Sequence, residues 1–137
     1  MKRALITFLV IDALIVAAGL GAYLLIMRPR VAEVELARDQ AVRANVAMTA
    51  RVRAVEGRLA LASGDVAGAQ RAAADLLTTM DGLVKRSPEG RERAEAIQLR
   101  ERAMLIQNEI PTDPATARKD FELLDAKLAV QYPVAAK

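Results

Sequence analysis

The sequence contains no cysteine, histidine or tryptophan, and only 3% of its residues are aromatic. Without cysteine and histidine, the common zinc, haem and iron–sulfur sites and the Cys- or His-dependent nucleophiles cannot be built. No disulfide can form, so cysteine usage does not distinguish the cytoplasm from the periplasm. We therefore expect no metal and no cofactor. The scarcity of aromatic residues in an alanine-rich chain favours helices over strands.

Recognisable catalytic motifs are also missing. No serine or threonine lies in a nucleophile motif, and the segment Gly64-Asp65-Val66-Ala67-Gly68 lacks the lysine of a phosphate-binding loop. Glu92 and Glu95 share a helix, but they lack the second motif and the histidine of carboxylate metal sites in helical bundles. These absences predict that the chain is not an enzyme and that it has no small-molecule substrate.

The net charge of +3 is distributed unevenly. Residues 31–137 carry sixteen basic and sixteen acidic side chains and are therefore neutral. The surplus comes from four basic residues around one apolar stretch near the N-terminus: Lys2, Arg3, Arg28 and Arg30. Because nucleic-acid-binding domains usually have a net basic surface, we predict no binding to nucleic acid.

That apolar stretch, residues 4–27, contains a single charged residue, Asp12. A helix of this length would reach about 36 Å at ~1.5 Å per residue, more than the ~30 Å of a hydrocarbon core. The pattern predicts one transmembrane helix between basic flanks at 1–3 and 28–30. The apolar run continues past the small residues 19–21, which favours an uncleaved signal anchor over a cleaved signal peptide. The expected location is the bacterial inner membrane, with the C-terminal domain in the periplasm.

Within the stretch, Asp12 is the residue that most needs a partner. An ionisable group deep in a bilayer is costly and usually faces another protein group or water. Gly19 shares the face of Asp12, and a neighbouring row of small residues would let two helices approach closely. We therefore predict an intramembrane contact with a partner helix through Asp12, Ala13, Ala17, Gly19 and Gly21.

Residues 31–132 read as a helical-hairpin domain, followed by a flexible tail at 133–137. The predicted helices cover 31–62, 66–85, a third segment that starts at Ser87-Pro88 and runs to 108, and 114–130. Asp65 and Asp113 are the expected N-caps of the second and fourth helices. Helical spacing predicts a core-facing stripe on each of the last three helices. The stripes are Val66, Ala69, Ala73, Leu76, Leu77, Met80 and Leu83 or Val84 on the second helix, Ala96, Ile97, Leu99, Ala103, Met104 and Ile106 on the third, and Ala117, Phe121, Leu124 and Leu128 on the fourth. The predicted fold class is all-α: one N-terminal transmembrane helix, then a small bundle of about four antiparallel helices in two hairpins, the first helix long.

The first helix of this domain also fits a heptad pattern. The a positions are Val31, Arg38, Asn45, Val52 and Leu59, and the d positions are Val34, Ala41, Met48, Val55 and Ala62. An asparagine at an a position specifies register and oligomer state, so Asn45 indicates a dimeric stalk. The favoured alternative is an amphipathic helix packed within its own domain, where the basic segment 40–62 would face the acidic segment 87–125.

Residues 57–77, GRLALASGDVAGAQRAAADLL, resemble the helix-turn-helix of tetratricopeptide repeats. Gly57 falls where that family has a small residue, and Ala69 falls where it has alanine. The turn recurs at Thr112-Asp113-Pro114, an offset of about 48 residues against about 34 in the family, and no aromatic residues fill the large positions. The resemblance implies a scaffold that binds proteins or peptides.

Taken together, these features predict a non-catalytic single-pass membrane protein. It would act as an accessory, scaffold or assembly subunit of a membrane protein complex, through its span and its helical domain. The alternatives are a self-associating dimeric membrane stalk and a soluble periplasmic binding protein released by signal cleavage. The expected partners are the membrane and either other subunits or a second copy of the chain.

Overall fold

The computed structural model describes the backbone of residues 2–133 and the side chains of residues 16–23 and 30–133. The described chain is all-helical, with α1 at Lys2–Ala62, α2 at Val66–Arg86, α3 at Arg91–Glu109 and α4 at Pro114–Gln131. It divides into two compact units, an N-terminal unit (Met1–Arg38) and a bundle unit (Asp39–Lys137). α1 contributes its residues 39–62 to the bundle unit.

The N-terminal unit contains the apolar stretch 4–27. Among the residues that the structure describes, no helix combines the length and the apolar character needed to cross a membrane. The predicted transmembrane helix is therefore wrong, and with it the predicted fold class, the signal anchor and the single-pass inner-membrane location.

Two aspartates define helix starts in the bundle unit. The side chain of Asp65 accepts a hydrogen bond from the backbone N–H of Gly68 at 2.8 Å, which caps α2. Asp113 caps α4 by accepting from the backbone N–H and the hydroxyl of Thr116, at 3.1 and 2.6 Å. These contacts satisfy amides that the first helical turn leaves free. Both predicted N-caps are confirmed.

The predicted start of the third helix at Ser87-Pro88 is wrong. Ser87 instead ends α2, where its backbone N–H and its hydroxyl both donate to the carbonyl of Leu83, each at 2.9 Å. α3 begins only after Gly90, whose φ of 104° is readily adopted by glycine alone. The serine-proline pair looked like a start signal, but the buried hydroxyl finds its acceptor in the preceding helix.

The four helices form an antiparallel bundle, and ion pairs join each helix to its neighbours. Exposed pairs of this kind contribute little to stability individually, but they show which helices lie next to each other. They are Arg53–Asp75 between α1 and α2 at 3.8 Å, Arg100–Asp81 between α2 and α3, Arg102–Asp120 between α3 and α4 at 3.7 Å, and Arg51–Asp125 between α4 and α1 at 2.7 Å. The last pair, with Arg43–Glu92 at 3.7 Å, brings the basic segment of α1 to the acidic segment as expected.

The core of the bundle combines small residues from α1 with larger residues from the other helices. α1 supplies Ala47, Ala50 and Ala54, and a Cβ on Gly57 would overlap the ring of Phe121. The four predicted core residues of α4 are all buried, namely Ala117, Phe121, Leu124 and Leu128. Three residues predicted to face inward are exposed instead, namely Val66, Ile97 and Met104.

Candidate protein-binding site

An open apolar groove of about 690 Å³ runs between α3 and α4. Leu99 is almost fully buried and forms its floor, whereas Leu105, Leu123 and Val130 are exposed along its sides. The side chains on α4 follow helical spacing, because Leu123, Ala126 and Val130 are three and four residues apart and lie on one face. The groove therefore results from the side-by-side packing of α3 and α4.

The turn between the two helices fixes the walls of the groove. The backbone N–H groups of Thr112 and Asp113 donate to the carbonyl of Glu109 at 2.9 and 2.7 Å, which closes the end of α3. The Asp113 cap then starts α4 at once, so that α4 returns along α3. At the far end, the side-chain amide of Gln131 donates to Glu95 at 2.6 Å and ties the end of α4 to the start of α3.

The rim of the groove carries charges of both signs. Glu95 accepts hydrogen bonds from Arg91 and Gln131, and these donors hold the pKa of its carboxyl below its usual range. Glu101, Arg102 and Lys127 complete the polar border. An apolar floor with a mixed polar rim is the usual composition of a protein-binding surface.

Glu109, near the turn, has a less favourable setting. Its Oε2 atom is buried and has no hydrogen-bond partner among the described residues. Burial raises the pKa of this carboxyl, as do the nearby charges of Asp120 and Asp113, while Arg102 acts in the opposite direction. Within the described part of the chain, no group of three or more acidic residues could hold a metal ion. The fold therefore disfavours the ionised form of Glu109.

The structure describes the side chains of only some of the residues predicted to form the intramembrane contact and the membrane flanks. Five of them lie outside the residues whose side chains are described: Lys2, Arg3, Asp12, Ala13 and Arg28. Ala17, Gly19 and Arg30 are exposed, and a Cβ on Gly19 or Gly21 would meet no described atom. The partner contact predicted for Asp12, Ala13, Ala17, Gly19 and Gly21 stays a prediction, without the membrane setting first assigned to it.

The groove itself was not predicted from the sequence. Leu105, Leu123 and Val130 fall outside the core stripes assigned to the third and fourth helices. Their position outside those stripes could have indicated the groove, because large apolar residues beside a complete core stripe predict a second apolar surface. Comparisons with protein-family models, curated proteins and solved structures found no match to this chain. The tetratricopeptide-like resemblance therefore stays a prediction.

Proposed function

We propose that the chain is a non-catalytic protein-binding module, an accessory or scaffold subunit of a larger assembly. Its bundle unit would bind a partner protein through the groove between α3 and α4. The observation that carries this proposal is the pair of exposed leucines, Leu105 and Leu123, on opposite sides of the groove floor. They are 52% and 49% exposed, so covering the remaining half of each would contribute roughly 0.8–1.5 kcal/mol.

The groove suits the apolar face of an amphipathic helix from the partner. Such a helix presents side chains at positions i, i+3, i+4 and i+7, which can lie between two parallel ridges. The ridges here are the α3 wall with Leu105 and the α4 wall with Leu123 and Val130. Arg102 and Lys127 on the rim can then pair with acidic residues at the border of that helix.

Site-specific photo-crosslinking in the native host tests this proposal. A photoreactive residue at Leu105, which is 52% exposed, is compared with one at Met104, which is 41% exposed on another face of α3. We expect a discrete crosslinked protein from position 105 and none from position 104. Adding Leu123→Glu should abolish the crosslink while helicity by circular dichroism is unchanged.

Equal crosslinking from both positions would overturn the proposal, since the two side chains differ in direction far more than in exposure. A crosslink that survives Leu123→Glu would also overturn it, because the charge would sit in the opposite wall of the groove.

A further inference from the structure

The part of α1 in the bundle unit has a second apolar face that the bundle does not use. Asn45, Met48, Val52, Val55 and Leu59 follow alternating spacings of three and four residues, and we call this row the outer seam. Met48, Val52 and Leu59 are among the exposed large apolar residues of the chain. At about 100° per residue, the seam lies roughly opposite the row that faces the core.

A hollow of about 230 Å³ lies on this seam. Six residues line it: Met48, Arg51, Val52, Val55 and Glu56 of α1 and Asp125 of α4. We call the first four the wall residues. In heptad notation those four wall residues are d, g, a and d. In a coiled coil, each a side chain inserts into a hole formed by four residues of the facing helix. The four wall residues are the set that receives the equivalent a residue in a parallel pair.

Charge selects the direction of the pairing. In a parallel pair, the g residue of one helix lies beside the e residue of the next heptad on the other. That rule places Arg51 beside Glu56 of the second copy. An antiparallel pair would bring g residues together, so that Arg51 would meet Arg58 of the second copy. Like charges at that distance are unfavourable.

We propose that a second copy of this chain packs in parallel and in register along the outer seam. Val52 of each copy fills the hollow of the other, and the two Asn45 side chains lie side by side and fix the register. The inference does not depend on the groove between α3 and α4. It would, however, place two such grooves in one assembly and so allow bivalent binding.

The absence of cysteine from the sequence allows a direct test on the full chain. The variant Val52→Cys carries the only thiol of the protein, and so does the matched control Val66→Cys. The two valines are 47% and 40% exposed. Under mild oxidation we expect rapid formation of a disulfide-linked dimer through position 52 and little or none through position 66. A disulfide requires Cα atoms within about 7 Å, a condition that an in-register a position meets.

A second substitution separates the seam from association elsewhere in the chain. Leu59→Lys in the Val52→Cys background should reduce the crosslinking rate at least tenfold, whereas Met104→Lys should leave it unchanged. The proposal is overturned if positions 52 and 66 crosslink equally, if position 52 does not crosslink, or if Leu59→Lys has no effect. An antiparallel dimer would give the second of these results, because an a residue would then face a d residue.

Discussion

The two faces of α1 within the bundle unit differ in the size of their residues more than in their polarity. The fully buried residues on the face toward the core are all small, namely Ala47, Ala50, Ala54 and Gly57, while Val46 and Leu61 are only partly buried against the core. The outer seam carries Met48, Val52 and Leu59, all exposed. An amphipathic helix usually buries its largest apolar residues, so the order here is reversed.

This reversal shows what each face contributes. Small residues let α1 approach α4 closely, and the larger side chain of Phe121 fills the space that Gly57 leaves. Close packing of this kind leaves no room for added atoms. Met48, Val52 and Leu59 of the outer seam remain exposed among the described residues, as expected of the surface that we propose binds a second copy.

The largest expected effect comes from adding one methyl group to the core-facing row. Gly57→Ala should lower the free energy of unfolding by about 1–3 kcal/mol, because its Cβ would overlap the Phe121 ring. The matched control is Gly82→Ala in α2, where the Cβ would meet only the flexible end of Arg86 at 3.2 Å. There we expect a gain of about 0.5–1 kcal/mol from helix propensity.

Urea denaturation of both variants by circular dichroism measures this difference. If Gly57→Ala left stability unchanged or raised it, the close approach of α1 to α4 at Gly57 would be wrong.

The second test concerns the outer seam and replaces its polar residue, Asn45, with an apolar one. Asn45→Val should leave the free energy of unfolding of the single chain nearly unchanged, since Asn45 is exposed there. Self-association should tighten about tenfold, because a buried amide costs free energy that valine does not. Register should also become less defined, as expected when a polar a residue is lost.

Sedimentation equilibrium measures the affinity, and the Val52→Cys crosslink in the Asn45→Val background measures the register. The matched control is Asn108→Val, an exposed asparagine of α3 outside the seam, which should change neither quantity. Weaker association of Asn45→Val than of the original chain would contradict a place for Asn45 in the interface.

The sequence predicted the bundle better than it predicted its surfaces. Residues at regular helical spacing with large side chains, such as Phe121, Leu124 and Leu128, were correctly assigned to the core, because burying them dominates the free energy of packing. Alanine and glycine give no comparable signal, since hydropathy does not report that a position must be small. The core-facing row of α1 could therefore not be predicted from hydropathy. The larger residues of α1, which point away from the core, gave the stronger apolar pattern.

The same limitation applies to Ser87 and to the groove. A serine followed by proline has the composition of a helix start, but only tertiary packing shows that the hydroxyl is buried against Leu83. Leu105 and Leu123 become one surface only when α3 and α4 lie side by side. The membrane span was predicted from hydropathy alone, and the described helices do not support it.

The smallest expected effect distinguishes two carboxylates. Glu109 has a buried oxygen with no hydrogen-bond partner among the described residues, whereas Glu95 is well paired at the groove. Burial raises the pKa of Glu109, so folding favours its protonated form, and its favourable contribution is lost as the pH rises above the usual value of 4.5. Glu109→Gln should therefore stabilise the protein at pH 7 by less than about 1 kcal/mol, because the residue is only partly buried. The gain should vanish below about pH 4.

Glu95→Gln is the matched control and should have the opposite sign. Arg91 and Gln131 lower the pKa of Glu95, so its ionised form contributes stability at pH 7 that is lost as the pH falls through the lowered pKa. Thermal unfolding of both variants at pH 7 and at acid pH measures the two differences. Loss of stability in both variants at pH 7 would mean that the buried oxygen of Glu109 has a partner in solution, because only a satisfied carboxylate is worth keeping ionised there.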